Sequence, residues 1–535
     1  MRVGHLGILL ASAWTAAAGL AMVALQRHPP LVVQMGSRGL FASSLLEIGL
    51  IWLGGLGLIL AISGGKKGRR LALALVAAVL LAALAIGLGA RPPAEGVEGA
   101  LGPENRTTLL VAVDGMSWSV ILPMVRRGEL PTIRRLMAEG SYGVLHSLRS
   151  ERPSNGQSGY WSPVVWTSLA TGVGPERHGI DDFEVRSEQG KPRLAKSTHR
   201  RVPAFWNLFS GLGYRVGVVG WWASWPAEEI DGYIVSSHLG LRGQRRGGRV
   251  GREIGQPRME LYGLTHPESY AQELSAVLPS VEAIEELARE RIFPFEHYPL
   301  TTDRDRRIIY SVLWQDQAYF QVARSLIRAQ PLTLYSVYFE GADVLSHHFW
   351  RYRTRPEAIG DWEKLLMPEG YRGHARVIDN YYRILDEYLG SLLEELPRNA
   401  TVIVASDHGF HDDPRHPRNA DHSPFGVLIA RGPGISPSKN LNLRTWSSTW
   451  EMIGPRTTVL DVLPTLLYLH GLPVSRELEG AVLEGLISSE YRSRHDIERV
   501  PSYKALGEPP STADDVDDAT QEEYEKRLRS LGYVN

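Results

Sequence analysis

Short, nearly continuous apolar runs alternating with helical patterns constrain this chain more than any other feature of its sequence. TTLLVAV at residues 107–113, YRVGVVG at 214–220, LTLYSVYF at 332–339, TVIVA at 401–405 and FGVLIA at 425–430 are of strand length. Strands of that kind are stable when both faces are covered, as in a parallel sheet between two layers of helices. Helical spacing appears at 130–140, 203–211, 308–330, 375–396 and 459–470, and a further strand at 141–148. The alternation predicts an α/β fold with a mostly parallel central sheet and helices on both faces. Ligands of such sheets bind beyond the carboxyl ends of the strands. Asp114, Asp343 and Asp407 stand at or just past three of those ends.

Histidines accompany two of these aspartates. In GADVLSHHFW, Asp343 and His347 are four residues apart, and on a helix that spacing puts both on one face, able to grip one ion. In VASDHGF, Asp407 and His408 are adjacent and Gly409 frees the turn. A third histidine is needed to complete the first group. His422 is selected because it immediately precedes the strand SPFGVLIARGPGI, with His348, His411 and His416 as rivals. The stretch SPVVWTSLATGVGPERHGI adds a hydroxyl: Ser162 takes the N-cap position and Pro163 the first helical position. In this company Ser162 is predicted to be a nucleophile activated by metal, beyond any capping role.

Composition narrows the chemistry. The chain has no cysteine, so any metal must be held by nitrogen and oxygen. The formal net charge of -1 gives no basis for binding a nucleic-acid duplex. Three segments, 6–25, 45–63 and 71–90, are apolar over about 20 residues each, the length that crosses a bilayer, and Lys66, Lys67, Arg69 and Arg70 lie between the last two. They predict a membrane anchor of three transmembrane helices over residues 1–90, in a multi-pass protein of the cell membrane with its large domain on the extracytoplasmic side. Residues 91–106 read as a linker and 107–510 as the catalytic domain, with a cap insertion at about 239–302. Residues 511–535 read as an acidic, then helical, tail.

From residue 107 onward the chain resembles the alkaline phosphatase superfamily, in particular its type I phosphodiesterase/nucleotide pyrophosphatase branch. Besides the aspartate and histidine motifs, the resemblance is carried by LPTIRRLMAEGSYG, VVGWWASWPAE, the TG-x-x-P-x-x-HGI run and DVLPTLLYLHGLP. It implies two divalent metal ions, zinc or else manganese. Asp343, His347 and His422 would hold one; Asp114, Asp407 and His408 would hold the other, with Ser162 Oγ as a further ligand. In that family the nucleophile stands ten residues before the glycine of the TG pair, and Gly172 points back to Ser162, not to Thr167 or Ser168.

The resemblance implies a phosphoric ester hydrolase, a phosphodiesterase acting through a phosphoserine-type intermediate on a nucleotide-like substrate or a lipid or glycan headgroup. A phosphotransferase moving a phospho-headgroup to a lipid or glycan is the alternative, and a non-catalytic envelope scaffold the second. Val165 replaces the asparagine that nucleotide pyrophosphatases carry three residues after the nucleophile. Arg152, Asn155 and Gln157, just upstream, are the candidates to meet the substrate in its place. The PVVW that follows Ser162 departs from the sulfatase pattern.

Overall fold

The computed structural model of the chain describes residues 106–150, 159–186, 192–240, 262–292, 303–354, 373–413, 421–443 and 456–504. The chain divides into two units, Met1–Glu95 and Gly96–Asn535, and the described residues all belong to the second.

The elements that build the site follow in chain order. They are β1 (Thr108–Val113), α1 (Trp118–Arg126), α2 (Pro131–Glu139), β2 (Ser141–His146), α3 (Ser162–Thr171), α4 (Phe205–Gly211), β3 (Val216–Val219), β4 (Gly232–Val235) and β5 (Thr265–His266). Then come α5 (Asp303–Ala329), β6 (Leu334–Phe339), α6 (Gly341–Thr354), α7 (Val377–Glu395), β7 (Thr401–Ala405), β8 (Gly409–His411), β9 (Asp421–Ser423), β10 (Phe425–Arg431), β11 (Lys439–Asn440) and α8 (Val462–Leu469). Among the described residues one nine-stranded sheet runs β11-β2-β10-β7-β1-β6-β3-β4-β5. Its centre, β7-β1-β6-β3-β4, is parallel. β10 is antiparallel to both β2 and β7, and β5 is antiparallel to β4. The sheet is thus mixed around a parallel core.

The central strands are apolar on both faces because both faces are covered. Every residue of β1, β6 and β7 is buried. Helices α5 and α7 are amphipathic and turn their apolar stripes inward, where Tyr319, Val322, Tyr381 and Leu385 are fully enclosed. Pro464 falls in the first turn of α8, where a missing N–H costs no helical hydrogen bond.

The expected three transmembrane helices and multi-pass location are corrected. Among the described residues no helix is long and apolar enough to cross a membrane. The two longest, α5 and α7, carry charges such as Arg304, Arg324, Asp379 and Arg383 at intervals of a few residues, too many for a lipid-facing span. The segments 6–25, 45–63 and 71–90 on which that expectation fell lie outside the described residues, as does the tail at 511–535.

Candidate metal centre

Sheet register brings the three aspartates to one edge. β1 pairs with β6 from Thr108↔Leu334 to Val113↔Phe339, and with β7 from Thr108↔Thr401 to Ala112↔Ala405. The three strands therefore leave the sheet level with one another. Asp114 follows β1 directly, and its N–H donates to Phe339 O at 2.9 Å. Asp407 stands two residues beyond β7, and Asp343 lies in the first turn of α6, with His347 one turn later. β10 runs the opposite way against β7, pairing Leu428 with Ala405, so its beginning reaches the edge where the parallel strands end. His422, which precedes β10, arrives there too, opposite Phe410 in the β8–β9 ribbon.

Two overlapping groups result. Asp343 Oδ1 lies 3.3 Å from His422 Nε2, 3.4 Å from His347 Nε2 and 3.6 Å from His408 Nε2. His408 Nε2 lies 3.3 Å from Asp114 Oδ1 and 3.5 Å from Asp407 Oδ2. His347 and His422 meet through their Nε2 atoms at 2.8 Å. Ligand atoms of Asp343, His408 and His422 lie within 4.8 Å of one another, as do those of Asp114, Asp407 and His408. His348 and His411 belong to neither group; His416, Arg152, Asn155 and Gln157 lie outside the described residues.

Ser162 is tied to both groups through its neighbours. Tyr160 O is 3.1 Å from His422 Nδ1, and Trp166 Nε1 donates to Asp114 Oδ2 at 3.1 Å. The helix begins one residue earlier than its sequence suggests. Trp161 is the N-cap, with φ -91° and ψ 122°, and Ser162 is the first helical residue. Its hydroxyl therefore caps nothing and is buried without a hydrogen-bond partner among the described residues.

The outward-facing atoms of these side chains are occupied. Gly115 N–H donates to Asp407 Oδ1 at 3.2 Å, and Tyr338 Oη to Asp114 Oδ2 at 2.5 Å. His408 Nδ1 faces Gly409 O at 3.1 Å, and His422 Nδ1 faces Tyr160 O. Each Nδ1 donating to a backbone carbonyl turns Nε2 inward, the orientation in which backbone carbonyls hold metal-binding histidines. The inward-facing atoms are the reverse. Asp114 Oδ1, both oxygens of Asp343, Asp407 Oδ2, His408 Nε2 and Ser162 Oγ have no hydrogen-bond partner among the described residues. Buried polar atoms are rarely left so unless something binds them.

Charge points the same way. Asp114, Asp343 and Asp407 are fully buried, and no lysine or arginine pairs with them among the described residues. Burial and the adjacent Asp114 carboxylate push Asp407 well above the usual carboxylate range. Burial opposes a charge on His408, yet Asp407, Asp114 and Asp343 overcome it and push that imidazole up to about 10. Burial also opposes ionisation of Asp343, but His347 and His422 hold it well below the usual value. His422 itself is pushed down to about 4 by burial, with His408 adding to the effect. Three buried carboxyl groups crowd around one imidazole, and a divalent cation would displace the imidazole proton and supply the missing charge. The nitrogen and oxygen donors fit such an ion.

Backbone geometry is equally tight. Gly115 has φ +64°, and a Cβ built there would stand 2.7 Å from Asp343 Cα. Gly115→Ala is expected to cost about 2–4 kcal/mol of stability, measured by denaturant unfolding, and to weaken metal uptake by displacing α6.

Sequence reasoning passed over the side chains that hold Asp114. Trp166 carried a signal, standing four residues after Ser162 on the same helical face. Tyr338 carried none, as one more apolar residue in a fully buried strand.

The model of the family described as type I phosphodiesterase/nucleotide pyrophosphatase matches residues 108–422, a span holding all seven residues singled out above. No curated protein matches the chain. Among solved structures, human ectonucleotide pyrophosphatase/phosphodiesterase 5 is 13% identical, covering 72% of this chain and 100% of its own, with TM-score 0.38. Phosphonate monoester hydrolase from Silicibacter pomeroyi is 13% identical, covering 72% and 78%, with TM-score 0.37. A putative sulfatase from Bacteroides thetaiotaomicron is 15% identical, covering 72% and 76%, with TM-score 0.39. Because the family match spans more than half of the 535 residues, the chain belongs to the type I phosphodiesterase/nucleotide pyrophosphatase family and is a phosphoester hydrolase.

Proposed function

We propose that this enzyme is a phosphodiesterase that opens a nucleotide-type phosphodiester or pyrophosphate through a covalent intermediate on Ser162. Asp343, His347 and His422 hold one divalent cation; Asp114, Asp407 and His408 hold a second, to which Ser162 Oγ is a further ligand. The mixed imidazole and carboxylate set suits zinc, and manganese takes similar donors. The observation that carries the reading is the set of inward-facing atoms, three carboxylates, a ring nitrogen and one hydroxyl, buried together without partners.

Bound cations supply the charge that makes a serine alkoxide accessible at neutral pH and that offsets the anionic phosphoryl group. The chain's own residues do the positioning. Ser162 opens α3, where the helix N-terminus favours an anionic oxygen. Ser162 Oγ loses its proton to solvent and forms the new bond to phosphorus as the ester P–O bond opposite it breaks, and the leaving oxygen takes a proton from solvent. Water then cleaves the Oγ–P bond and restores the hydroxyl. Beside the nucleophile, Trp161 meets Phe183 edge-on with ring centroids 6.1 Å apart, and Phe183 meets Trp222 at 5.6 Å. Phe183 and Trp222 are buried, so the row braces the wall of the fold beside Ser162.

The test combines metal analysis with trapping. The protein is expected to hold two equivalents of zinc and to lose hydrolysis of bis(p-nitrophenyl) phosphate on exhaustive chelation. Added zinc restores it, and acid quenching during turnover leaves phosphorus on the peptide containing Ser162. Activity that survives complete metal removal would exclude this reading. Products formed with an added alcohol separate hydrolysis from transfer.

A further inference from the structure

Asp114 and Asp407 each have one held and one unpartnered oxygen, but Asp407 Oδ1 is held by a backbone N–H and Asp114 Oδ2 by two side chains. Asp114 Oδ2 accepts from Tyr338 Oη at 2.5 Å and from Trp166 Nε1 at 3.1 Å. Oδ1 has no partner among the described residues and faces His408 Nε2 at 3.3 Å. Tyr338 Oη in turn accepts from Trp222 Nε1 at 2.8 Å, which leaves the phenol its proton to give to Asp114. The Trp166 and Tyr338 rings meet edge-on at 5.5 Å, and Trp166, Tyr338 and Trp222 are all buried. The three come from different parts of the fold: α3, strand β6, and the loop after β3.

Donors fixed on one oxygen prevent the carboxylate from turning about its bond to the chain. They also occupy lone pairs that a chelating, two-oxygen mode would need. We infer that Tyr338 and Trp166 are positioning residues that restrict Asp114 to one-oxygen coordination of the cation in the Asp114, Asp407 and His408 group. This rests on reading that group as a metal site. Trp166 is one helical turn from Ser162 on the same face of α3, so the same pair of donors also sets the nucleophile's helix against the ligand. Tyr338 is the stronger partner of the two by distance and by the acidity of its phenol.

Tyr338→Phe removes the donor and keeps the ring, and is the variant to make in the full chain. Removing an outer partner of a metal ligand typically costs about ten- to a hundredfold in affinity. Competition with a chromophoric chelator is expected to show that loss for one zinc equivalent, with the second equivalent unchanged. Trp166→Phe gives a smaller loss in the same equivalent. In an Asp114→Ala background, Tyr338→Phe is expected to change zinc affinity no further, because the phenol acts only through that carboxylate. Thermal unfolding in the presence of chelator checks that the fold is intact. Equal weakening of both equivalents, no weakening, or full additivity with Asp114→Ala would overturn the inference while leaving the two-metal reading standing. A wild-type chain that binds no zinc would overturn both.

Discussion

Ser162→Ala is expected to lower kcat on a diester by about ten-thousandfold or more, with both zinc equivalents retained. The neighbouring hydroxyls cannot take over. Thr167 Oγ1 donates to Pro163 O at 2.6 Å, and Ser168 Oγ is engaged with Val164 O at 2.9 Å and His178 Nε2 at 2.8 Å. Both are committed to structural bonds. Ser162 Oγ, by contrast, serves no structural bond, so its removal should leave the melting temperature of the metal-free protein unchanged or slightly raised. The measurement is a pair: steady-state turnover, and metal content by mass spectrometry on the same preparation. Turnover within tenfold of wild type would remove Ser162 from its role. Lost turnover with lost metal would make it a ligand above all.

Asp407→Asn is expected to act in opposite directions with and without metal. In the loaded enzyme the amide brings no charge to the ion, and turnover should fall on the order of a thousandfold. In the metal-free protein the same change removes a source of tension. Burial and Asp114 raise the Asp407 carboxyl above its unfolded value. A carboxyl raised in this way favours the fold below the ordinary carboxylate range, and that contribution is lost as pH climbs toward the raised value. The metal-free wild type should therefore lose stability as pH rises from about 4, the usual carboxylate value. The asparagine variant should show a shallower slope and a higher melting temperature at neutral pH. Melting curves in chelator across the acidic and neutral range test this. A metal-free variant less stable than wild type at pH 7 would show that crowding of carboxylates is not what strains the empty centre.

Much of the centre was legible because strand ends are legible. A buried parallel strand is a continuous apolar run, so its last residue is visible, and the register of such strands aligns their ends. That is why Asp114 and Asp407 could be placed together from the runs TTLLVAV and TVIVA. Asp343 and His347 followed from helical spacing just after β6. His422 was reachable because it precedes a strand, although the sequence did not show that this strand runs antiparallel and so begins at the edge where its neighbours finish. The start of α3 was misread by one residue, since Ser-Pro suits either of the first two positions and the tryptophan before it gives no capping signal. Tyr338 stayed hidden because a buried polar atom in an apolar strand has no periodicity of its own. Apolar length near the amino end suggested membrane spans that no described helix provides.

The reversed direction of β10 has a consequence in time as well as in space. Its entry point delivers His422, the last residue of the family match, after every aspartate of the cage has already left the ribosome. Until that strand slots between β2 and β7, the acidic end of the sheet has no His422 to close it. A cation held as proposed above would therefore be enclosed only once the final interior strand has found its seat.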